Sequence, residues 1–185
     1  QDIDCGAAYT PDELSTTIHW PVPNLSYSDQ VRLYWDDEPL LITHQPGVHA
    51  AGSWLDFRSQ KIVFVGDSVV LHQPPFLAWA DLDVWIAELT WLVSDVYKGY
   101  KIVSGRSGVV TKRSIDWMLR FLLTVKEVVV DLAHCENRSE GIAAAVPLLL
   151  RRMRFDKVYA DFFKNRLMWG LDHYLQKHYP KEHHS

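Results

Sequence analysis

The sequence has few of the features that mark specialised classes of protein. No apolar run reaches the roughly 18 residues that a membrane-spanning helix needs, and the longest, around residues 143–150, is interrupted by Pro147. Lys and Arg number 19 against 23 Asp and Glu, so the chain lacks the basic excess of a general nucleic-acid binder. No Cys-x-x-Cys and no helical His-x-x-x-His is present. We therefore expect no membrane span, no nucleic-acid partner, no metal and no other cofactor.

What is present is an ordinary globular composition, with 48% apolar and 23% charged residues in a chain of 185. That length suits one domain with a sizeable core. The first part of the chain holds several prolines and no helical period, whereas the rest is regular. We divide the chain into an N-terminal extension (1–58), an α/β domain (59–180) and a mobile tail (181–185).

Weak signals favour a secreted or extracellular chain. The sequence begins at Gln1, which indicates a processed chain or a fragment, and Asn-x-Ser sequons occur at Asn24 and Asn137. There are only two cysteines, Cys5 and Cys135. A disulfide between them would pin the extension to the sheet edge. Two free thiols in a cytoplasmic protein are the alternative.

Apolar periodicity predicts the secondary structure. Residues 31–35 and 40–43 read as two strands around a turn, which predicts a short β-hairpin in the extension. Further strands are predicted at 61–65, 100–103, 127–132 and 157–160, each a short apolar run typical of buried parallel strands. The predicted helices between and after them cover residues 76–96, 115–122 (capped by Ser114), 142–149 (capped by Ser139) and 167–178.

Four strand–helix units in series predict a three-layer α/β fold, with a mostly parallel, doubly wound sheet and an N-terminal β extension. In such sheets ligands bind beyond the carboxyl ends of the strands, where loops lead into helix N-termini. The predicted strands place three polar loops at that edge, at residues 66–68, 105–108 and 134–138. We expect any active or binding site to form where these loops meet.

The three loops resemble the first three sequence blocks of the SGNH, or GDSL-type, hydrolases. The first block of that family is an apolar strand ending in Gly-Asp-Ser, as in Gly66-Asp67-Ser68 here. The second block is matched by Gly105 or Gly108, and the third by Asn137. The resemblance covers residues 61–137 and implies a flavodoxin-like fold and an esterase or deacetylase activity, on a small molecule such as a carbohydrate ester.

The resemblance also implies residue roles. Ser68 would be the nucleophile, and its N–H, a glycine N–H and the Asn137 amide would stabilise the oxyanion. The fourth block, an Asp-x-x-His that supplies the base, is not found after Asn137. His173, which follows Asp172, and His134 are the candidate bases. Beside these groups, Asp67 and Arg106 are candidate binding residues, since the 105–108 loop could hold an anion.

Two other functions stay open at this point. Glu136 and Glu140 flank the end of the predicted third strand, and carboxylates there could cleave a nucleoside or glycosidic bond. Alternatively, the α/β scaffold could be a secreted binding or effector domain without catalysis, whose partner is a protein. The oligomeric state is not predicted.

Overall fold

The computed structural model describes residues 25–34 and 37–180. Within them the chain forms one six-stranded sheet whose strands are β1 (Gln30–Tyr34), β2 (Pro39–His44), β3 (Ser53–Phe57), β4 (Ile62–Phe64), β5 (Lys101–Ser104) and β6 (Gly108–Val110). Four α-helices follow or interrupt these strands: α1 (Leu82–Leu92), α2 (Lys112–Ala133), α3 (Arg138–Arg151) and α4 (Ala160–His178). Single 3-10 turns lie at Gly66–Ser68, Asp95–Tyr97 and Lys157–Tyr159.

The sheet keeps the order of the sequence, β1-β2-β3-β4-β5-β6. Only β4 and β5 run parallel, and α1 lies in the crossover between them. All other neighbours are antiparallel. The general α/β class is therefore confirmed, whereas the mostly parallel, flavodoxin-like sheet is wrong. The predicted hairpin is present as β1 and β2, and the predicted strands at 61–65 and 100–103 are present as the parallel pair.

The predicted third strand at 127–132 is wrong, because these residues form the last turns of α2. Valines have a high β propensity, which made 128–130 read as a strand. In α2, however, buried residues recur every three or four positions, and Val129 continues that stripe into the core. The buried residues of α2 are Ile115, Met118, Phe121, Leu122, Val125, Val129 and Leu132.

The predicted fourth strand at 157–160 is also wrong. Asp156 accepts a hydrogen bond from the N–H of Val158 and caps a 3-10 turn that leads directly into α4. Two predicted caps are displaced as well. Thr111, not Ser114, caps α2 by accepting from the Ser114 N–H at 3.2 Å. Asn137, not Ser139, caps α3.

The hydrophobic core lies between one face of the sheet and the helices. Trp54 of β3, Val63 of β4 and Ile102 of β5 point from that face into a cluster built with the buried sides of all four helices. Trp54 and Trp85 are the largest of the fully buried side chains. None of the described helices is long and apolar enough to cross a bilayer.

The opposite face of the sheet carries side chains that take no part in this core. Strand register places ten apolar residues on it. None of them belongs to the core cluster or to the partly buried side chains packed against it. We call this surface the open sheet face, and its apolar members are Val31, Leu33, Leu40, Ile42, Leu55, Phe57, Ile62, Phe64, Val103 and Val109.

The structure contradicts the predicted disulfide. Cys135 is an exposed free thiol in the turn between α2 and α3, where its Sγ contacts the Asp131 carbonyl oxygen at 3.5 Å. Cys5, the predicted partner, and the sequon at Asn24 lie outside the described residues, as does the predicted tail at 181–185.

Candidate functional site

Ser68, the nucleophile implied by the resemblance, is buried, and its hydroxyl is already hydrogen-bonded. Its side chain is part of the 3-10 turn after β4, and the residue is only 3% exposed. Its Oγ accepts a hydrogen bond from Trp54 Nε1 at 2.8 Å, and its carbonyl oxygen accepts one from Trp85 Nε1 at 2.9 Å. A nucleophilic serine needs an adjacent base to take its proton. Here the hydroxyl is joined to an indole, which can only donate.

Two of the three predicted loops do meet. The N–H of Gly105 donates to the Gly66 carbonyl oxygen at 2.8 Å. Arg106 Nε donates to Asp67 Oδ2 at 2.9 Å in an ion pair that is partly exposed on both sides. The backbone has little room here, since a Cβ added at Gly105 would lie 3.4 Å from Gly66. The parallel pairing of β4 and β5 brings these loops to one edge of the sheet.

The third loop has a structural role at another place in the fold. Because 127–132 is helical, residues 134–138 form the turn between α2 and α3. His134 ends α2, and Asn137 accepts from the Glu140 N–H at 3.3 Å as the N-cap of α3. Arg138 Nη2 donates to the Ala133 carbonyl oxygen at 3.2 Å. These contacts hold the turn together.

The remaining predicted site residues also lie in helices and turns. His173 is on α4. The centroid of its ring is 3.9 Å from that of the Trp169 ring, and its Nδ1 is 3.0 Å from the Trp169 carbonyl oxygen. Gly108 begins β6 with φ at +65°, so it serves the β5–β6 turn that glycine permits. Glu140 is in the first turn of α3, where an acid favours the helix dipole. The predicted Glu136 and Glu140 pair gains no support from this arrangement.

A pocket of about 230 Å³ opens beside the Gly66–Ser68 turn. One wall is that turn with the end of β4, and the other is the loop between β2 and β3, which we call the β2–β3 loop (45–52). The residues lining the pocket are Gln45, Val48, His49, Ala51, Gly52, Ser53, Val65, Gly66, Asp67 and Ser68.

The β2–β3 loop is held in one conformation by backbone hydrogen bonds. Gln45 N donates to the Gly52 carbonyl oxygen at 2.8 Å, and Gly52 N donates to the His49 carbonyl oxygen at 2.8 Å. The Gly47 carbonyl oxygen accepts from Asp81 N at 2.9 Å, at the start of α1. The loop is therefore attached to both the sheet and the helical layer.

His44 joins the base of this loop to the segment before β1. Its Nδ1 is 3.1 Å from the Ser28 carbonyl oxygen, and its Nε2 is 2.7 Å from the Ala50 carbonyl oxygen. Carbonyl oxygens only accept, so the ring satisfies both when both nitrogens carry a proton. His49 differs, because its Nδ1 accepts from the Ala51 N–H at 3.1 Å. The neutral His49 ring thus carries its proton on Nε2, which makes that atom a donor.

Glu88 of α1 supports the loop from below. It is only 6% exposed, and its Oε1 accepts from the Gly47 N–H at 2.8 Å. Its Oε2 is buried with no hydrogen-bond partner among the described residues. Burial raises the pKa of Glu88 to about 7, Asp81 adds to this, and the Gly47 N–H and His44 oppose it. A carboxyl group that changes charge near neutral pH thus underlies the pocket wall.

This raised pKa predicts a pH dependence of stability. Between about pH 4.5 and pH 7 folded Glu88 keeps its proton while unfolded Glu88 loses it, so the free energy of unfolding should fall as pH rises through that window. The loss should be at most about 3 kcal/mol and should level off above the folded pKa. Glu88→Gln should abolish this component, because the amide can still accept from Gly47 but does not titrate.

Urea denaturation of both proteins at about pH 5 and pH 8 measures this difference. Ionisable groups that do not interact with Glu88 contribute equally in both proteins and cancel in the comparison. An unchanged pH dependence in Glu88→Gln would show that Glu88 ionises in the folded protein as it does in water.

The described residues give no support for a metal centre. In residues 25–34 and 37–180 no group of three or more His, Cys, Asp or Glu side chains could hold a metal ion. Asp67, the acidic group of the pocket, is instead paired with the Arg106 guanidinium.

Sequence reasoning placed Asp67, Gly105 and Arg106 near a site but missed His49 and the β2–β3 loop. The available signal was His44 and His49 in a stretch that also contains Pro46, Gly47 and Gly52. The attachment of Gly47 to Glu88 joins residues far apart in the chain, and no local pattern reports it.

No protein family model matches the sequence, and no curated protein matches it. Among solved structures, the fold is similar to the crystal structure of a metallo-β-lactamase family protein from Thermus thermophilus. The TM-score is 0.59 at 16% sequence identity, and the match covers 86% of this chain and 51% of that chain. This chain therefore spans about half the length of the protein it matches.

This likeness overturns the predicted relation to SGNH hydrolases and the serine-hydrolase function drawn from it. Identity of 16% supports a shared fold and leaves chemistry to be argued from the site. The binding or effector domain and the glycosidic-bond hydrolase gain no better support from the comparison. The fold of this chain resembles part of a metallo-β-lactamase family protein, and its described residues lack a cluster of metal ligands.

Proposed function

We propose that the pocket between the β2–β3 loop and the Gly66–Ser68 turn is the functional site, and that it receives a small polar molecule. The observation that carries this proposal is the pairing of opposite hydrogen-bonding groups in one pocket. Asp67 supplies a carboxylate, and His49 supplies the Nε2–H that remains when Nδ1 accepts from Ala51. A few convergent polar groups in a preformed concave site are typical of a ligand site.

The pocket limits the chemistry of its ligand. A volume of about 230 Å³ is smaller than the usual range of drug-sized sites, so the ligand should have few atoms. It should carry a donor for Asp67 and an acceptor for His49, as small amides, carbamates and hydroxy acids do. Arg106 pairs with the Oδ2 atom of Asp67, and carboxylate oxygens accept hydrogen bonds, which favours a ligand donor at that position.

The name of the matched protein implies a metal, and such a centre does not fit the described residues of this chain. The pocket contributes Asp67 and His49, and the Asp67 carboxylate already has a guanidinium partner. We therefore derive no step that uses a metal. The likeness to a metallo-β-lactamase family protein supports the fold alone, and the proposal of a small polar ligand rests on the pocket.

The floor of the pocket offers a direct readout of binding. The indole N–H groups of Trp54 and Trp85 both donate to Ser68, which lines the pocket. A ligand against Ser68 should shift both indole resonances in a ¹⁵N-correlated NMR spectrum. We expect members of a panel of small amides, carbamates and hydroxy acids to cause saturable shifts.

Variants of the two polar groups test the assignment. Asp67→Asn and His49→Ala should each weaken the binding of an active panel member about tenfold or more, the effect of losing one hydrogen bond to a polar group. Asp83→Ala, on the exposed side of α1, is the matched control and should bind as the wild type does. Absence of any saturable shift across the panel, or equal weakening by Asp83→Ala, would refute the proposal.

A further inference from the structure

The open sheet face is an apolar surface that the described core leaves uncovered. On each strand, alternate residues point to it, and its ten apolar members run across the full sheet from β1 to β6. Phe64 is 40% exposed and Val109 is 64% exposed, and the other eight members are partly buried. Contiguous apolar surface of this kind is rare on monomers and marks an interaction site.

Polar groups are few on this face. Register adds only His44, Ser53 and Lys101 to the ten apolar residues. The Phe57 and Phe64 rings meet edge to face there, with centroids 5.8 Å apart. A surface with so little charge is suited to another apolar sheet. It is poorly suited to a charged partner, because it offers almost no charged groups for the partner to pair with.

The similar solved protein is about twice as long as the part of it that this chain matches. The match covers 86% of this chain but only 51% of the similar solved protein. That protein therefore contains about as much chain again as the part that this one resembles. A six-stranded sheet with helices on one side and apolar residues on the other has room for a second layer of the same kind, since two sheets pack face to face about 10 Å apart.

We propose that the open sheet face binds a second copy of this chain, forming a two-fold symmetric dimer in which two sheets pack against each other. Two-fold symmetry brings the same patch together from both copies, which a nearly uncharged face permits without repulsion. Two copies also supply two sheet-and-helix layers, comparable in amount to the whole of the similar protein. This inference goes beyond the proposed pocket and does not rest on it.

The area of the open sheet face sets the expected affinity of the dimer. Six strands about 4.8 Å apart and about four residues long on average cover roughly 400 Å² in projection, and upright side chains add to the accessible area. A standard interface buries about 800 Å² on each partner. The dimer should therefore be of moderate strength and should dissociate on dilution through the micromolar range.

Sedimentation equilibrium of the full 185-residue chain from low to high micromolar concentration tests this directly. We expect the mean mass to rise from that of the monomer toward twice that value. Val109→Asp and Phe64→Asp place a charge in the interface at positions that are already exposed, so each should fold. Each should raise the dimer dissociation constant about tenfold or more, because a buried unpaired charge is costly.

Val158→Asp is the matched control, since Val158 is 83% exposed in the turn before α4 and is not on the sheet. Near-UV circular dichroism confirms that all variants are folded, and the mass of the control should follow that of the wild type. A wild-type chain that remains monomeric at every concentration overturns the proposal, and so does a dimer that survives both sheet variants. Equal weakening by Val158→Asp also overturns it, because the effect would then not belong to this face. The pocket variant Asp67→Asn should dimerise normally, which separates this test from that of ligand binding.

Discussion

Replacement of Trp85 by alanine should destabilise the protein by about 3–5 kcal/mol, the range for loss of a fully buried aromatic side chain. Trp85 is fully buried, at 0% exposure, near the start of α1. Its indole fills the core between the helices and the sheet, and its Nε1 donates to the Ser68 carbonyl oxygen at 2.9 Å. Alanine would leave a cavity and an unsatisfied buried carbonyl group.

Two further variants divide this loss between packing and hydrogen bonding. Trp85→Phe keeps an aromatic ring but removes the donor, so it should cost about 1–3 kcal/mol for the unpaired carbonyl oxygen. Trp79→Ala, the matched control, removes an indole that is 55% exposed and should change stability by about 0.5 kcal/mol or less. Urea unfolding followed by circular dichroism measures all three. Equal effects of Trp85→Ala and Trp79→Ala would contradict the packing described for α1.

Gly47→Ala should displace the β2–β3 loop and cost roughly 2–5 kcal/mol through overpacking and lost hydrogen bonds. A Cβ at this position would lie 2.5 Å from the Trp85 Cα and 2.5 Å from Glu88 Oε2. The first contact is with helix backbone, which cannot move aside as a flexible side chain can. The loop must therefore move, which breaks the bond from Gly47 N to Glu88 and deforms the pocket.

Gly170→Ala provides the matched control for the same chemical change. Gly170 lies inside α4, and a Cβ there would meet Leu77 at 3.4 Å, close to an ordinary contact. Alanine also favours a helix interior by about 1 kcal/mol over glycine, so the net change should be small. Unfolding measurements give the stabilities, and backbone amide resonances of residues 45–52 report the loop. A Gly47→Ala protein with native stability and unshifted loop resonances would show that the loop does not touch α1.

Local patterns predicted those parts of the fold in which local and tertiary preferences agree. The strands at 62–64 and 101–104 are short apolar runs between turn residues, and they form the parallel pair that was expected. Val128, Val129 and Val130 show the opposite case. Their β propensity was overridden, since the buried stripe of α2 extends through Val129 to Leu132. With no strands at 127–132 and 157–160, the sheet is mostly antiparallel, and β4 and β5 form its single parallel pair among the described strands.

The candidate site was predictable only where it lies at the ends of the parallel strands. Asp67 and Arg106 follow β4 and β5, and their ion pair is a consequence of that pairing. The prediction placed His134 and Asn137 beside them because it assigned a strand to residues 127–132, which are helical. The second wall of the pocket depends on Glu88 holding Gly47 across a long sequence separation. Such a contact depends on the tertiary fold and leaves no periodic signal in the sequence.

The crossover between β4 and β5 has a consequence for the order of assembly. Strands β1 to β4 pair with immediate sequence neighbours, whereas Ile62 pairs with Lys101 only after the intervening chain, including α1, has been brought back to the sheet. Closing that long loop carries the larger entropic cost, and nonlocal pairing of this kind is intrinsically slow. The turn at Gly66–Ser68 lies within the same loop. The floor of the pocket should therefore acquire its final shape late in folding, after the antiparallel strands have already joined.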